Sequence, residues 1–188
     1  MATTKGMEKW KEKKWFDVYP PALLGTNVIG EMPADDDNRM MGRIIKSSMS
    51  WITSKMEHSF MIVGLKVISV NGNSAQTELQ YLEQTYSYLH SLVKRHSSAI
   101  YTVDKLKDSS GKPIVLKLLV ITRNKITTTK RKAIRKKISE LSKEIVSKKE
   151  GSEIVKDIIE GNFQKECIKN VNNIADIFKL EIKKIEIV

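Results

Sequence analysis

Asn71-Gly72-Asn73 lies between two runs that both suit a β-strand, and this arrangement limits the fold more than any other stretch of the chain. Upstream is FMIVGLKVISV, residues 60–70. Downstream, Ala75, Thr77, Leu79 and Tyr81 alternate with Gln76, Glu78 and Gln80, the period of two expected of a half-buried strand. An Asn-Gly step tolerates the positive φ angles of a tight turn, so the segment predicts a β-hairpin. A second hairpin is predicted from SAIYTVDKL (98–106) and PIVLKLLVIT (113–122), joined through Asp108–Lys112. Its second strand is apolar on both faces except at Lys117, which places it centrally in a sheet or barrel wall.

Between and after the hairpins the period changes. Ile134, Ile138, Leu141 and Ile145 are spaced 4, 3, 4, which puts them on one narrow stripe of a helix over residues 128–149. Gly151 is read as its end. SEIVKDIIE follows as a shorter helix, with Ser152 as cap and Gly161 as stop, and Phe163, Cys167, Ile168 and Val171 suggest one more. Residues 84–96 look helical, with Tyr88, Leu89, Leu92 and Val93 on one side. LEIKKIEIV closes the chain as a strand whose apolar phase switches at Lys183-Lys184, the mark of a β-bulge. At the other end, residues 1–20 read as a basic arm or short helix stopped by Pro20-Pro21. Residues 22–41 read as irregular chain, and 42–52 as a strand. The domain division expected is therefore an arm, 1–20, and a single α+β domain, 21–188.

Charge narrows the function. The 188 residues carry 33 Lys and Arg against 22 Asp and Glu, a net +11, which suits a polyanionic partner. The excess is concentrated. Arg123, Lys125, Lys130, Arg131, Lys132, Arg135, Lys136 and Lys137 fall within fifteen residues without an acid, +8 in all. From Ile138 to Val188, nine lysines meet ten acids, −1. Lys132, Arg135 and Lys136 point away from the apolar stripe, while Arg131 and Lys137 flank it. A second cluster is KWKEKKWF, residues 9–16, and a third is Lys94-Arg95-His96.

In the second cluster Trp10 and Trp15 stand among Lys9, Lys11, Lys13 and Lys14. The indole rings can stack on unpaired bases while the lysines meet phosphates, or they can anchor the arm on the body. His96 can touch phosphate or stack on a base, or be an ordinary exposed histidine. Enzymatic chemistry finds little support. No H-E-x-x-H, phosphate-loop or G-x-S-x-G pattern occurs, so no catalytic residue, metal ligand or cofactor is expected. Asp35-Asp36-Asp37 could attract Mg²⁺, but no motif surrounds it and a hydrophilic loop beside Pro33 explains it more simply. Cys167 is alone, so it forms neither an internal disulfide nor a Cys-rich zinc site, and on a helix face it reads as core. No secretory signal and no apolar run of transmembrane length is found, and a cytoplasmic protein without membrane contact is expected.

Five elements, in order and over nearly the whole chain, resemble the archaeal and eukaryotic small-subunit ribosomal protein family e-S-one, older name S-three-A-e. They are KWKEKKWFDVYPP; Gly42-Arg43-Ile44-Ile45; Ser91-Leu92-Val93-Lys94-Arg95; Ala133-Ile134-Arg135-Lys136; and Glu181-Ile182-Lys183-Lys184-Ile185-Glu186. Lys94 and Lys183 stand where the family has Arg, and His96 where a base is expected; the substitutions lose the bidentate guanidinium fork. The end of the chain just after the last element resembles the shorter archaeal form.

The resemblance implies an α+β fold: a β-barrel-like antiparallel sheet of hairpins, with one long basic amphipathic helix and shorter helices packed outside. It implies a structural, non-enzymatic constituent of the small ribosomal subunit, on the platform near the mRNA exit. The implied partners are small-subunit rRNA and neighbouring platform proteins, with mRNA near the exit as a further candidate and no homo-oligomer. It adds Arg43, Lys183 and Lys184 to the candidate RNA-binding residues. Three rivals remain: a free-standing RNA-binding or chaperone factor in ribosome assembly or initiation; a nuclease using the aspartate triplet; and an interaction protein using the near-neutral C-terminal third.

Overall fold

The computed structural model describes residues 13–187, and these fall into two compact units that divide between Gln80 and Tyr81. The expected arm residues up to 12, with Lys9, Trp10 and Lys11, lie outside the described residues.

In the first unit the predicted hairpin is present. Strand β4, Met61–Asn71, turns through Gly72 at φ 59° into β5, Ser74–Gln84, whose last four residues belong to the second unit. Strand β3, Ile44–Ser48, pairs antiparallel with β4. Lys14–Tyr19, expected within an arm or short helix, instead forms strand β1. Phe16 and Val18 occupy one phase of it and are buried, while Trp15 faces the other way and is 55% exposed. The flanking lysines conceal this short alternation in the sequence.

β1 pairs antiparallel with β2, Gly30–Ala34, and parallel with the start of β5. The stretch 22–41, read as irregular, thus holds a strand and also a short helix α1, Asp37–Met40. The expected strand 42–52 stops at Ser48, where helix α2, Met49–Thr53, begins; a 3-10 turn, Met56–His58, follows. The core here is Phe16, Val18, Ala34, Met40, Val67 and Ala75.

The second unit is an antiparallel ladder in the order β5-β8-β7-β6. β6 is Ala99–Lys107, β7 Pro113–Thr122 and β8 Ile177–Ile187. β7 is central, as its two apolar faces require, and Lys117 is ion-paired with Glu186 at 2.9 Å. On one face Ile100, Leu106, Ile114, Leu116, Leu118, Val120, Leu180, Ile182 and Ile185 are all buried. Helix α4, Thr128–Lys148, packs there against β6. Helix α6, Asn162–Val171, packs against β8 and touches both α4 and α5, Gly151–Glu160. On the other face helix α3, Tyr86–Leu92, covers Leu119 and Ile121 with Leu89.

Ile134, Ile138, Leu141 and Ile145 of α4 are 0%, 0%, 9% and 8% exposed, so the 4-3-4 stripe is its buried face. Gly151, however, does not end α4. It opens α5, and an added Cβ would touch Asp108 Oδ2 at 3.5 Å. Glu150, not Ser152, precedes that helix, and Gly161 at φ 78° ends it as expected.

Two expectations about the sheet are corrected. β1 and β5 run parallel, so the pairing is mixed, though mostly antiparallel. Among the described residues the strands also do not close into a barrel, since there β2 pairs only with β1 and β6 only with β7. Closure is one way to protect strands; here helices cover the apolar face of the second ladder, and charged Lys105 and Lys107 lie along its outer strand.

Candidate nucleic-acid interface

The register of the second hairpin brings distant basic residues together. Ala99 pairs with Ile121, so the residues just before β6 and just after β7 are neighbours. These are Lys94-Arg95-His96 on one side and Arg123 and Lys125 on the other. Ser98, 2% exposed, fastens them. Its backbone N–H donates to Thr122 Oγ1 at 3.1 Å, and its carbonyl accepts from the Thr122 N–H at 3.1 Å. Its hydroxyl oxygen accepts from the Ile126 N–H at 3.2 Å and from Arg131 Nη2 at 3.1 Å. Arg131 lies in the first turn of α4, so a third basic segment is tied to the other two.

Around this knot Lys94, Arg95, His96, Arg123, Lys125 and Lys130 are exposed. Lys132, Arg135, Lys136 and Lys137 continue along the outer side of α4, all exposed. Of the two bases that flank the stripe, Arg131 is half-buried and Lys137 is exposed. Arg123 Nε pairs with Asp176 at 3.3 Å, with both side chains 64% exposed, a contact that water and salt weaken. His96 has φ 67°, so the turn from α3 into β6 uses the left-handed region without a glycine. α3 is also shorter than the expected 84–96, which frees Lys94 to His96 from the helix.

Lys183 and Lys184 lie elsewhere on this unit. The ladder between β7 and β8 shifts register beside Lys117 and Leu118, leaving Lys183 unpaired, the bulge that the phase switch predicts. Lys183 is exposed, with Nζ 5.7 Å from the centre of the Tyr101 ring. Lys184 is held by Glu186 at 3.1 Å and Glu83 at 3.5 Å, and it sits 4.3 Å from the Tyr81 ring centre. Burial works against its ammonium, but the two carboxylates outweigh that and raise its pKa. Nearby, buried Glu181 accepts from Gln84 at 2.6 Å and Tyr88 at 2.9 Å and pairs with Lys179 at 2.7 Å.

In the first unit Lys14 and Trp15 are exposed on β1, and Lys13 precedes it half-buried. Arg43 Nη1 donates to the Pro33 carbonyl at 3.0 Å, tying the chain before β3 to β2. The aspartate triplet lies at the start of α1: Asp36 is the N-cap residue without a side-chain capping bond, and Asp35 pairs with Arg39. Among the described residues no group of three His, Cys, Asp or Glu could hold a metal ion. Cys167 is buried, and burial first, then neighbouring Glu166, pushes its thiol up to about 12. It is a core side chain rather than a nucleophile. No described helix is long and apolar enough to cross a membrane.

Sequence reasoning identified the bases but missed Ser98, Thr122 and Phe178, which organise them. Ser98 and Thr122 are legible only after the hairpin register is fixed.

Fold and site define a basic α+β protein whose cations gather at one end of a β-hairpin and along one helix. The ribosomal S3Ae family profile matches residues 2–188. The small ribosomal subunit protein eS1 of Pyrobaculum neutrophilum is 29% identical over 180 residues, 96% of this chain and 81% of the relative. That of Archaeoglobus fulgidus is 29% identical over 182 residues, covering 96% and 86%. That of Methanoculleus marisnigri is 30% identical over 178 residues, covering 95% and 90%. The chain belongs to the ribosomal S3Ae family. It is a family of ribosomal proteins and not of enzymes, so the nuclease alternative for the aspartate triplet falls.

Proposed function

We propose that this protein is a structural constituent of the small ribosomal subunit that binds small-subunit rRNA on the platform, near the mRNA exit. The observation that carries the rRNA contact is the joining of three basic segments at Ser98. A hairpin end and a helix flank then offer adjoining cations to a phosphate backbone. The bases proposed to meet rRNA are Lys94, Arg95, His96, Arg123, Lys125, Lys130 and Arg131 at the knot, and Lys132, Arg135, Lys136 and Lys137 on α4. Lys183 joins them as an exposed bulge residue; Lys184 contributes through its neighbours because Glu83 and Glu186 already hold it. In the first unit Lys14 and Trp15 are the exposed candidates, and Arg43 supports β2 behind them. The platform site and its neighbouring proteins are proposed from the resemblance of the five motifs; the support for them is that resemblance together with the basic surface described above.

Cys167 is buried and its thiol is held protonated, so a cysteine introduced by Lys132→Cys can be labelled selectively with an iron chelate. Cleavage of small-subunit rRNA near its 3′ end, in subunits carrying the labelled protein, is the expected result. Incorporation without cleavage in that region would overturn the placement. A free-standing assembly or initiation factor would instead leave the subunits in a moderate salt wash, whereas a constituent stays stoichiometric with them.

A further inference from the structure

We propose that a pocket beside the Ser98 knot takes one unpaired RNA nucleotide, its base stacked on Phe178 and its phosphate met by Lys94 and Arg123. The pocket is about 120 Å³ and is lined by Leu92, Lys94, Ile121, Thr122, Arg123 and Phe178. The proposal rests on the rRNA-binding function and refines it, from phosphate contact to recognition of a single-stranded feature.

Three independent observations converge here. First, Phe178 has no partner in the β7–β8 ladder: Ile121 pairs with Lys179 and Thr122 with Ile177, so Phe178 is the extra residue of a second bulge. A bulge redirects a side chain, and this one leaves a large aromatic ring 44% exposed where regular pairing would have committed it to one face. Second, Lys94 Nζ stands 5.8 Å from the centre of that ring, within cation–π range, so a cation is already held beside the aromatic surface. Third, Leu92 and Ile121 give the wall its apolar part, beside the hydroxyl-bearing Ser97 and Thr122, while Arg123 also lines the pocket. Asp176 is the carboxylate that faces Arg123, and the exposed pair at 3.3 Å is one that a phosphate can displace. An aromatic platform with flanking cations is the arrangement that recognises single-stranded nucleic acid, because every base has a π-face and every nucleotide a charge. A duplex, whose bases are already stacked, has nothing to offer Phe178.

The test uses the full chain, a 12-nucleotide single-stranded RNA with a central 2-aminopurine, and a 12-base-pair RNA duplex. Wild type should quench the 2-aminopurine on binding. Phe178→Ala should weaken single-strand binding about tenfold and abolish the quench, with duplex affinity unchanged. Phe178→Tyr, which keeps a π-face, should behave as wild type. Phe178→Leu, which keeps bulk in the strand but no π-face, should fold and behave as Phe178→Ala. Lys94→Gln with Arg123→Gln should lower the salt dependence of single-strand binding. Equal losses on single strand and duplex, or undiminished quenching in folded Phe178→Leu, would overturn the pocket while leaving the rRNA contact standing. So would tighter binding of an acidic, Phe-containing peptide than of the single strand. Failure of wild type to bind either RNA would instead overturn the broader function, and the pocket with it.

Discussion

Ile138→Ala separates what holds helix α4 in place from what the helix presents. Ile138 is 0% exposed, in the middle of the buried stripe between Ile134 and Leu141. Truncating it removes buried apolar surface and leaves a cavity that the surrounding helices and sheet only partly fill. Substitutions of this kind cost about 2–5 kcal/mol. In a domain of 150–250 residues each kcal/mol lowers Tm by roughly 2–4 °C, so a loss on the order of 4–20 °C is expected. Urea titration followed by circular dichroism is the assay: the midpoint should fall while the slope stays constant, the sign of a change in stability rather than in the compactness of either state. The fraction that remains folded should bind RNA as tightly as wild type, because Ile138 faces away from Lys132, Arg135 and Lys136. A midpoint equal to that of wild type would refute the packing, and reduced affinity per folded molecule would refute the separation of the two faces.

Three further outcomes follow from particular contacts. Gly72→Val should destabilise the first unit without changing RNA affinity per folded molecule. The cause is backbone conformation, since φ is 59° and nothing lies within 4 Å of an added Cβ; unchanged Tm would remove the strained turn. Asp108 is a buried carboxylate that accepts from the Lys112 N–H at 2.7 Å and the Gly151 N–H at 3.3 Å, joining the β6–β7 turn to the start of α5. Asp108→Ala should cost about 1–3 kcal/mol in urea titration, and Asp108→Asn, which keeps one acceptor, should cost less. Lys117, assisted by Lys184, holds the Glu186 carboxyl below its ordinary value of 4.5. A depressed carboxylate pKa stabilises the fold above the unfolded pKa and is lost as pH falls through the folded one, so Glu186→Gln should flatten the decline in stability below about pH 4.5. An identical acid limb in wild type and variant would contradict the role of that network.

The elements legible in the sequence were those that carry their own period or turn chemistry. The Asn71-Gly72-Asn73 hairpin, the apolar stripe of α4 and the Lys183 bulge each depend on neighbours a few residues away. β1 and β2 were not legible, because Phe16 and Val18 give only one alternation amid lysines and Met32 is the only large apolar side chain of Gly30–Ala34. Their strand character comes from pairing with each other and with β5. Gly151 was misread for a similar reason. A glycine after a helix suggests a stop, but here Gly151 opens the next helix, and its N–H donates to the distant Asp108 carboxylate, a contact that no local pattern reveals. In the site, the residue types were visible, whereas their convergence required the register of β6 against β7. The same register shows why Lys94 and Arg123, distant in sequence, share one pocket. Lys184 shows the converse: its charge was evident, but the carboxylates of Glu83 and Glu186 that occupy it were not.

The basic flank of α4 as the main rRNA anchor is tested most directly by a triple variant, Lys132→Glu with Arg135→Glu and Lys136→Glu. All three side chains are exposed, and exposed substitutions usually change stability by no more than roughly 0.5 kcal/mol each. The measurement is the amount of the variant that sediments with small ribosomal subunits, compared with wild type expressed at the same level. The variant should melt close to wild type and be missing from the small-subunit fraction. A normally folded variant that enters small subunits at the wild-type level would contradict the assignment of this helix face to rRNA.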